Sequence, residues 1–230
     1  VDNVAHLPFP DSTELCIAVA KKGKTSTELK VVQWTWEQFK GQLSRPKVGE
    51  KDGSYYLRGG DLKELKRSDE NLLSADLLII DGDSRLDPET GEILVGAPPL
   101  MDVAQVLMDL DITFCAHTSY SHTEDVWKYR IICPVKLRDK NTLDACVDYA
   151  IAQINSRNVW LSDVTENHRW SQPWYAPRVK DSSAPFQFVA HDGGHFPVEE
   201  ALRWKAEQDR RNRQVIPDHA ATTVSEGNIK

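Results

Sequence analysis

Residues 77–83 read LLIIDGD, an unbroken apolar run that ends in two acids one residue apart. Without alternation, such a run fits a strand covered on both faces, so the chain must place material on each side of its sheet. The end of that strand then falls at the rim of the sheet. Residues two apart on a strand point to one side, which sets the carboxylates of Asp81 and Asp83 next to each other. Neither has a basic neighbour in sequence, and two ionised carboxylates side by side call for a cation. A divalent metal is the expectation.

A chain of 230 residues suits one large domain or two small ones with a real core. No apolar run reaches the ~18 residues of a membrane span, and no signal-peptide pattern opens the chain, so no membrane partner is expected. Val at position 1 reads as the start of a fragment or a processed chain. Cys16, Cys115, Cys133 and Cys146 show neither CxxC nor zinc-ligand spacing, which fits buried thiols in a reducing, cytoplasmic setting. The net charge of −7 argues against nucleic acid as a partner, yet residues 20–69 hold 12 Lys/Arg against 7 Asp/Glu. That basic section can bind a phosphate backbone locally while the acids lie elsewhere.

Along the chain, residues 13–34 read as a hairpin around KKGKTS, and Thr35 caps a short helix through WEQFKGQL. A loop over 45–53 leads to a short strand, SYYL, and DLKELKRSDE reads as a charged helix or loop. Residues 85–99 form a turn-rich excursion. Apolar positions 100, 103, 104 and 107 give one helix, and 143, 146, 147, 150 and 154 give another. Between them ITFCAHTS and KYRIICPV are strands joined by the polar YSHTEDVW. WSQPWYA and PFQFVA are further short strands, PVEEALRWKAEQDRRNRQ is a terminal helix, and the chain from 215 on is a polar tail or linker. Irregular alternation of this kind implies an α/β or α+β fold around a mixed, largely antiparallel sheet with flanking helices.

Four stretches carry chemistry. AVAKKGKTS approaches a phosphate-binding P-loop, but Ala18 stands where its first glycine belongs and TELKVVQW reads as a strand rather than the required helix. A plain turn is the expectation. Asp81 and Asp83 are either metal ligands or a structural rim pair. In AHTSYSHT…KYRIICPV, His117, Thr118, Ser119, Ser121 and His122 leave one strand together while Lys128 and Arg130 share a face of the next. Such a group suits a triphosphate, although polar hairpin tips are common. Finally, WLSDVTENHRWSQPWYAPR offers Asp163 as a third carboxylate or a helix cap, and Arg178 as a further cation.

In order and spacing these stretches resemble the archaeo-eukaryotic primase (primase–polymerase) superfamily, in the form found in phage and plasmid replication proteins. That family runs from a hydrophobic strand ending Asp-x-Asp, through a Ser-x-His motif on a later strand, to a third acid after a helix. Here these are Asp81-Gly82-Asp83, Ser119 to His122 with Arg130 downstream, and Asp163; Arg67 and Asn71 fit the approach to the metal strand. The likeness covers about residues 30–180.

The resemblance implies a catalytic core with a sheet like that of an RNA-recognition motif, in one domain over 1–214. Its basic αβ part would end near 70, its metal-site core would span about 71–195, and its terminal helix about 197–213. It implies template-directed nucleotidyl transfer in DNA replication. Asp81, Asp83 and Asp163 would hold two Mg²⁺ or Mn²⁺ ions, and Gly82 would leave room beside them. His122 would be catalytic and, with Ser119, Ser121, Lys128, Arg130 and Arg178, would bind the incoming NTP or dNTP. Single-stranded DNA template and primer would lie along Lys21, Lys22, Lys63, Lys66 and Arg67. A replicative helicase, or a helicase region beyond this chain, is the partner implied by larger relatives; no ATPase motor motif stands in these 230 residues. A metal-dependent phosphohydrolase and a catalytically inactive nucleic-acid-binding module are the rival readings.

Overall fold

In the computed structural model, residues 13–20 and 28–215 are described. The described residues form an α+β fold, with four α-helices among them and sheets that are almost wholly antiparallel. Strands β1 (Glu14–Ala20) and β2 (Lys30–Thr35) form the two arms of the expected hairpin, paired from Glu14↔Thr35 to Val19↔Lys30. The KKGKTS turn itself lies outside the described residues. The second arm is a strand, not the helix that a P-loop needs at that point in the chain.

Helix α1 (Trp36–Leu43) starts at Thr35 with a capping box: the Thr35 hydroxyl accepts from the Gln38 N–H and the Gln38 side chain accepts from the Thr35 N–H. Next come β3 (Lys47–Val48), β4 (Tyr55–Tyr56) and β5 (Asp61–Leu62). The charged stretch after residue 60 is therefore a short strand and turns rather than a helix. The long β6 (Leu72–Asp83) contains the apolar run, and β7 (Arg85–Leu86) with β8 (Ile93–Val95) makes a small hairpin beyond it.

The chain continues through α2 (Leu100–Asp109), β9 (Phe114–Thr118), β10 (Lys128–Leu137), α3 (Lys140–Asn155) and a 3-10 turn, Thr165–His168. Strands β11 (Trp174–Tyr175), β12 (Arg178–Val179) and β13 (Phe188–His191) precede α4 (Val198–Val215). None of the described helices is long and apolar enough to cross a membrane.

The strands form a five-stranded sheet, ordered β13-β9-β10-β6-β5, and a four-stranded one, ordered β11-β4-β1-β2. β6 is buried on both faces, as its sequence requires, and its parity assigns each face. Leu78 and Ile80 pack with Leu100, Val103, Leu107, Leu143, Val147 and Ile154 of α2 and α3. Leu77 and Ile79 pack with Leu15, Ile17, Trp36, Phe39 and Trp174 of the second sheet and α1. Helices thus cover one side of the central sheet and a second sheet covers the other. Asp81 and Asp83 share the parity of Leu77 and Ile79, so they open toward the mouth between the two sheets.

Candidate active site

That mouth holds a cavity of about 120 Å³ lined by Asp81, Asp83, His117, Ser119, Ser121, Lys128, Arg130, Tyr175 and Arg178, with Lys51 at its edge. Strand register builds it. β10 runs antiparallel to β6 with Arg130 opposite Asp81 and Lys128 opposite Asp83, and β9 sets His117 on the other side of Arg130. The acids therefore do have cations beside them. Arg130 Nε donates to Asp81 Oδ1 at 3.0 Å, and Lys128 Nζ pairs with Asp83. The electrostatic need that pointed to a metal is met by the neighbouring strand, where sequence proximity could not show it.

Arg130 is fixed further by donating from Nη1 to the Tyr175 carbonyl at 2.8 Å and by lying 5.3 Å from the centre of the Trp174 ring. Arg58, fully buried, lies 5.7 Å from that ring as well. Burial pushes the Asp81 carboxyl up; the Arg130 guanidinium opposes this and the Asp83 charge adds to it. Asp81, so placed, gains from a cation beside its carboxylate.

Gly82 lines this cavity with its backbone, but the side chain it lacks would point elsewhere. That direction is the helix side, where an added Cβ would run into the ring of Tyr129, its cross-strand partner. The glycine between the acids makes room for a tyrosine rather than for metal ions, contrary to the sequence expectation.

His122 is also placed differently from expectation. It sits in the tip of the β9–β10 hairpin, buried, with Nδ1 3.2 Å from the Val126 carbonyl and its ring 4.9 Å from that of Trp127. It does not line the cavity. The histidine that does is His117, which shares a strand face with Cys115 and lies opposite Arg130. Its Nδ1 is 3.0 Å from the Thr118 carbonyl, which makes Nδ1 the donor and leaves Nε2 as a lone-pair acceptor, buried and without a partner among the described residues. Burial first, and then Arg130, pull its pKa down to about 3, so the ring is neutral. The period-two pattern of CAHTS carried that signal: His117 has the parity that faces the second sheet, and His122 lies past the strand's end.

Asp163 stands apart from the cavity. Its Oδ2 is 2.7 Å from His168 Nε2 and its Oδ1 accepts from Asn167 Nδ2 at 3.1 Å. Asp148, Asp163 and His168 each offer a ligand atom within 4.8 Å of the others, a set able to hold a metal ion. The third acid has joined an α3 cluster because the 165–168 turn packs on that helix. The link to the first two acids is indirect: the Asn167 side-chain oxygen accepts the Asp81 N–H at 2.8 Å, where β5 no longer pairs with the edge of β6. Arg58 Nη2 holds this turn by donating to the Asn167 and Arg169 carbonyls, both at 3.2 Å.

Of the basic residues expected on DNA, Lys63, Lys66 and Arg67 are exposed but none lines the cavity with the acids. Lys66 pairs with Glu64 at 3.2 Å. Lys21 and Lys22 fall outside the described residues. A second cavity of about 180 Å³, lined by Trp34, Phe39, Tyr55, Tyr56, Arg45 and Lys47, meets the first along Ala176, Pro177 and Arg178. Comparison with known proteins adds no relative: no family model, no curated protein and no solved structure matches the chain.

Proposed function

We propose that the chain is a metal-dependent, template-directed nucleotidyltransferase of the primase–polymerase type, joining NTPs or dNTPs on single-stranded DNA. The observation that carries this reading is the cavity in which two strand-end carboxylates, two serine hydroxyls and four cations converge. A nucleotide triphosphate needs that mixture: cations for its phosphate oxygens and carboxylates for the divalent ion it brings.

The donor set fits one such ion. Mg²⁺ is commonly held by one or two carboxylates, with substrate phosphates and water filling its other positions. Asp81 and Asp83 supply that pair; Asp163, engaged with His168 and Asn167, supplies nothing to the cavity as it stands. When bound, the ion would stabilise charge developing on the phosphates and ease deprotonation of the attacking hydroxyl.

The chain's own residues do the rest. Arg130 and Lys128 each have one carboxylate partner in the cavity, and phosphate oxygens would compete for both, leaving Asp81 and Asp83 to the ion. Arg178 lies at the shared wall of the two cavities, where it can hold the outer phosphates. Ser119 and Ser121 offer hydroxyl donors. His117, neutral with an Nε2 lone pair, suits a hydroxyl donor rather than a phosphate, so it would meet a sugar hydroxyl and would not take over the triphosphate contact expected of His122.

One observation favours a second reading. Asp81 and Asp83 are charge-paired and lack a third carboxylate, as in a nucleotide- or DNA-binding module without chemistry. Nucleotide binding separates the contributions of cations and acids. With Mn²⁺ present, Arg178→Ala should weaken dNTP binding about tenfold, a loss of ~1.4 kcal/mol that is reasonable for one charge-assisted contact. Asp83→Asn should weaken it only when Mn²⁺ is present. Metal-independent binding, equal in wild type and Asp83→Asn, would favour the inactive module.

A further inference from the structure

The cluster around His168 lies outside the cavity and has no part in the proposed chemistry. Its imidazole stands where three carboxylates meet. Nδ1 is 2.8 Å from Asp144 Oδ1; Nε2 is 2.7 Å from Asp163 Oδ2 and 3.8 Å from Asp148 Oδ1. Asp144 is paired with Lys140 at 2.6 Å and Asp148 with Lys205 at 2.9 Å. Among the described residues Asp163 pairs with no lysine or arginine; its partners are His168 and the Asn167 amide.

We propose that Asp148, Asp163 and His168 form a binding site for a divalent transition-metal ion, with Zn²⁺ the best match. What sets this group apart from an ordinary acidic cluster is the nitrogen donor and its orientation. Metal-bound imidazoles commonly pass their second N–H to a carboxylate, which fixes the ring and strengthens the ligand. His168 meets that pattern, with Nε2 toward the two would-be ligands and Nδ1 on Asp144.

The spacing also fits. Tetrahedral zinc with bonds of ~2.1 Å keeps its ligand atoms about 3.4 Å apart, a value between the observed 2.7 and 3.8 Å. The third separation, between the Asp148 and Asp163 oxygens, lies within 4.8 Å, so the three atoms need only draw together around the ion. One nitrogen and two carboxylate oxygens suit Zn²⁺ or Mn²⁺ better than Mg²⁺ or Ca²⁺, which prefer oxygen alone.

The ion would have a structural role. Asp148 belongs to α3, whereas Asp163 precedes the 165–168 turn and His168 ends it. Binding would therefore staple turn to helix. Because Asn167 spans from Asp163 to the Asp81 N–H, the staple would also steady the end of β6 that presents the acids to the cavity.

The test is calorimetric titration of the metal-free chain with ZnCl₂, and separately with MgCl₂, without nucleotide or DNA. One Zn²⁺ per chain should bind, and Mg²⁺ at the same concentration should not compete. His168→Ala and Asp148→Asn should each weaken Zn²⁺ at least 100-fold. Asp144→Asn, which removes only the orienting partner, should weaken it about 10-fold. Asp83→Asn, in the other cavity, should leave it unchanged. Asp148→Asn keeps shape on a half-exposed side chain, so a folded variant is expected even if His168→Ala fails to fold. Absence of a Zn²⁺ site in the wild-type chain, or undiminished Zn²⁺ affinity in folded Asp148→Asn, would overturn the proposal. So would loss of the site in Asp83→Asn.

Discussion

Replacing Arg130 with Met keeps most of the side chain's length and removes the charge that Asp81 faces. The Arg130 and Asp81 side chains are 14% and 20% exposed, and their contact is 3.0 Å, so solvent screens the pair only partly. Breaking a buried pair from one side costs ~3–5 kcal/mol, because the remaining charge is left without compensation. The substitution also gives up the bond to the Tyr175 carbonyl and the stacking on Trp174. We expect a loss of about 4 kcal/mol in urea denaturation at pH 7, or roughly 10 °C in Tm for a chain of this size.

The pH dependence supplies the check. Burial already pushes the Asp81 carboxyl above its ordinary value, and removal of Arg130 pushes it further. A carboxyl with a raised folded pKa binds more protons folded than unfolded, so its penalty is relieved as pH falls through the folded pKa. The deficit of Arg130→Met should therefore shrink between pH 7 and pH 5, and Asp81→Asn in the same chain should recover much of it. A loss under 1 kcal/mol, or one independent of pH and of Asp81→Asn, would refute the account of the paired strand-end acids.

Gly82→Ala should destabilise the chain by ~1–3 kcal/mol through contact with Tyr129, and Tyr129→Val should restore part of this in the double variant, as denaturation curves would show. His117 is held neutral with a folded pKa of about 3 against an ordinary 6.5. Its protonation favours the unfolded chain, so stability should fall as pH drops below 6.5, by about 2 kcal/mol at pH 5, and His117→Phe should remove that slope. Lys24→Ala should leave nucleotide affinity within about twofold in a binding titration. A ~100-fold loss would instead restore a phosphate role to AVAKKGKTS, where a P-loop lysine touches phosphates directly.

Much of the frame was legible in sequence because it rests on local periodicity. The apolar positions 100, 103, 104 and 107 are buried in α2, and 143, 146, 147, 150 and 154 in α3. The Thr35 cap and the hairpin arms are local too. The burial of Leu77 to Ile80 on both faces followed from a run without alternation. What sequence could not show depends on register. Nothing near Asp81 or Asp83 in the chain announces that Arg130 and Lys128 stand opposite them, since pairing across 45 or more residues is fixed by the whole sheet. Asp163 was placed by order along the chain, whereas the turn after it packs on α3 and draws it to His168. His122 was preferred to His117 by motif likeness, although strand parity favours the latter. The two-residue strands β3, β5, β7 and β12 have no period to read.

The most direct test of the proposed function is a gel assay of the purified chain with a primed and an unprimed single-stranded DNA template, labelled NTPs and dNTPs, and Mn²⁺. Wild-type protein should lengthen the primer or make new chains, and only when template is present. Asp83→Asn should reduce product by several orders of magnitude while still binding DNA, because the substitution removes a charge the ion needs and leaves the basic section intact. No product from wild-type protein with Mn²⁺, phosphate release without template, or full activity in Asp83→Asn would each contradict it.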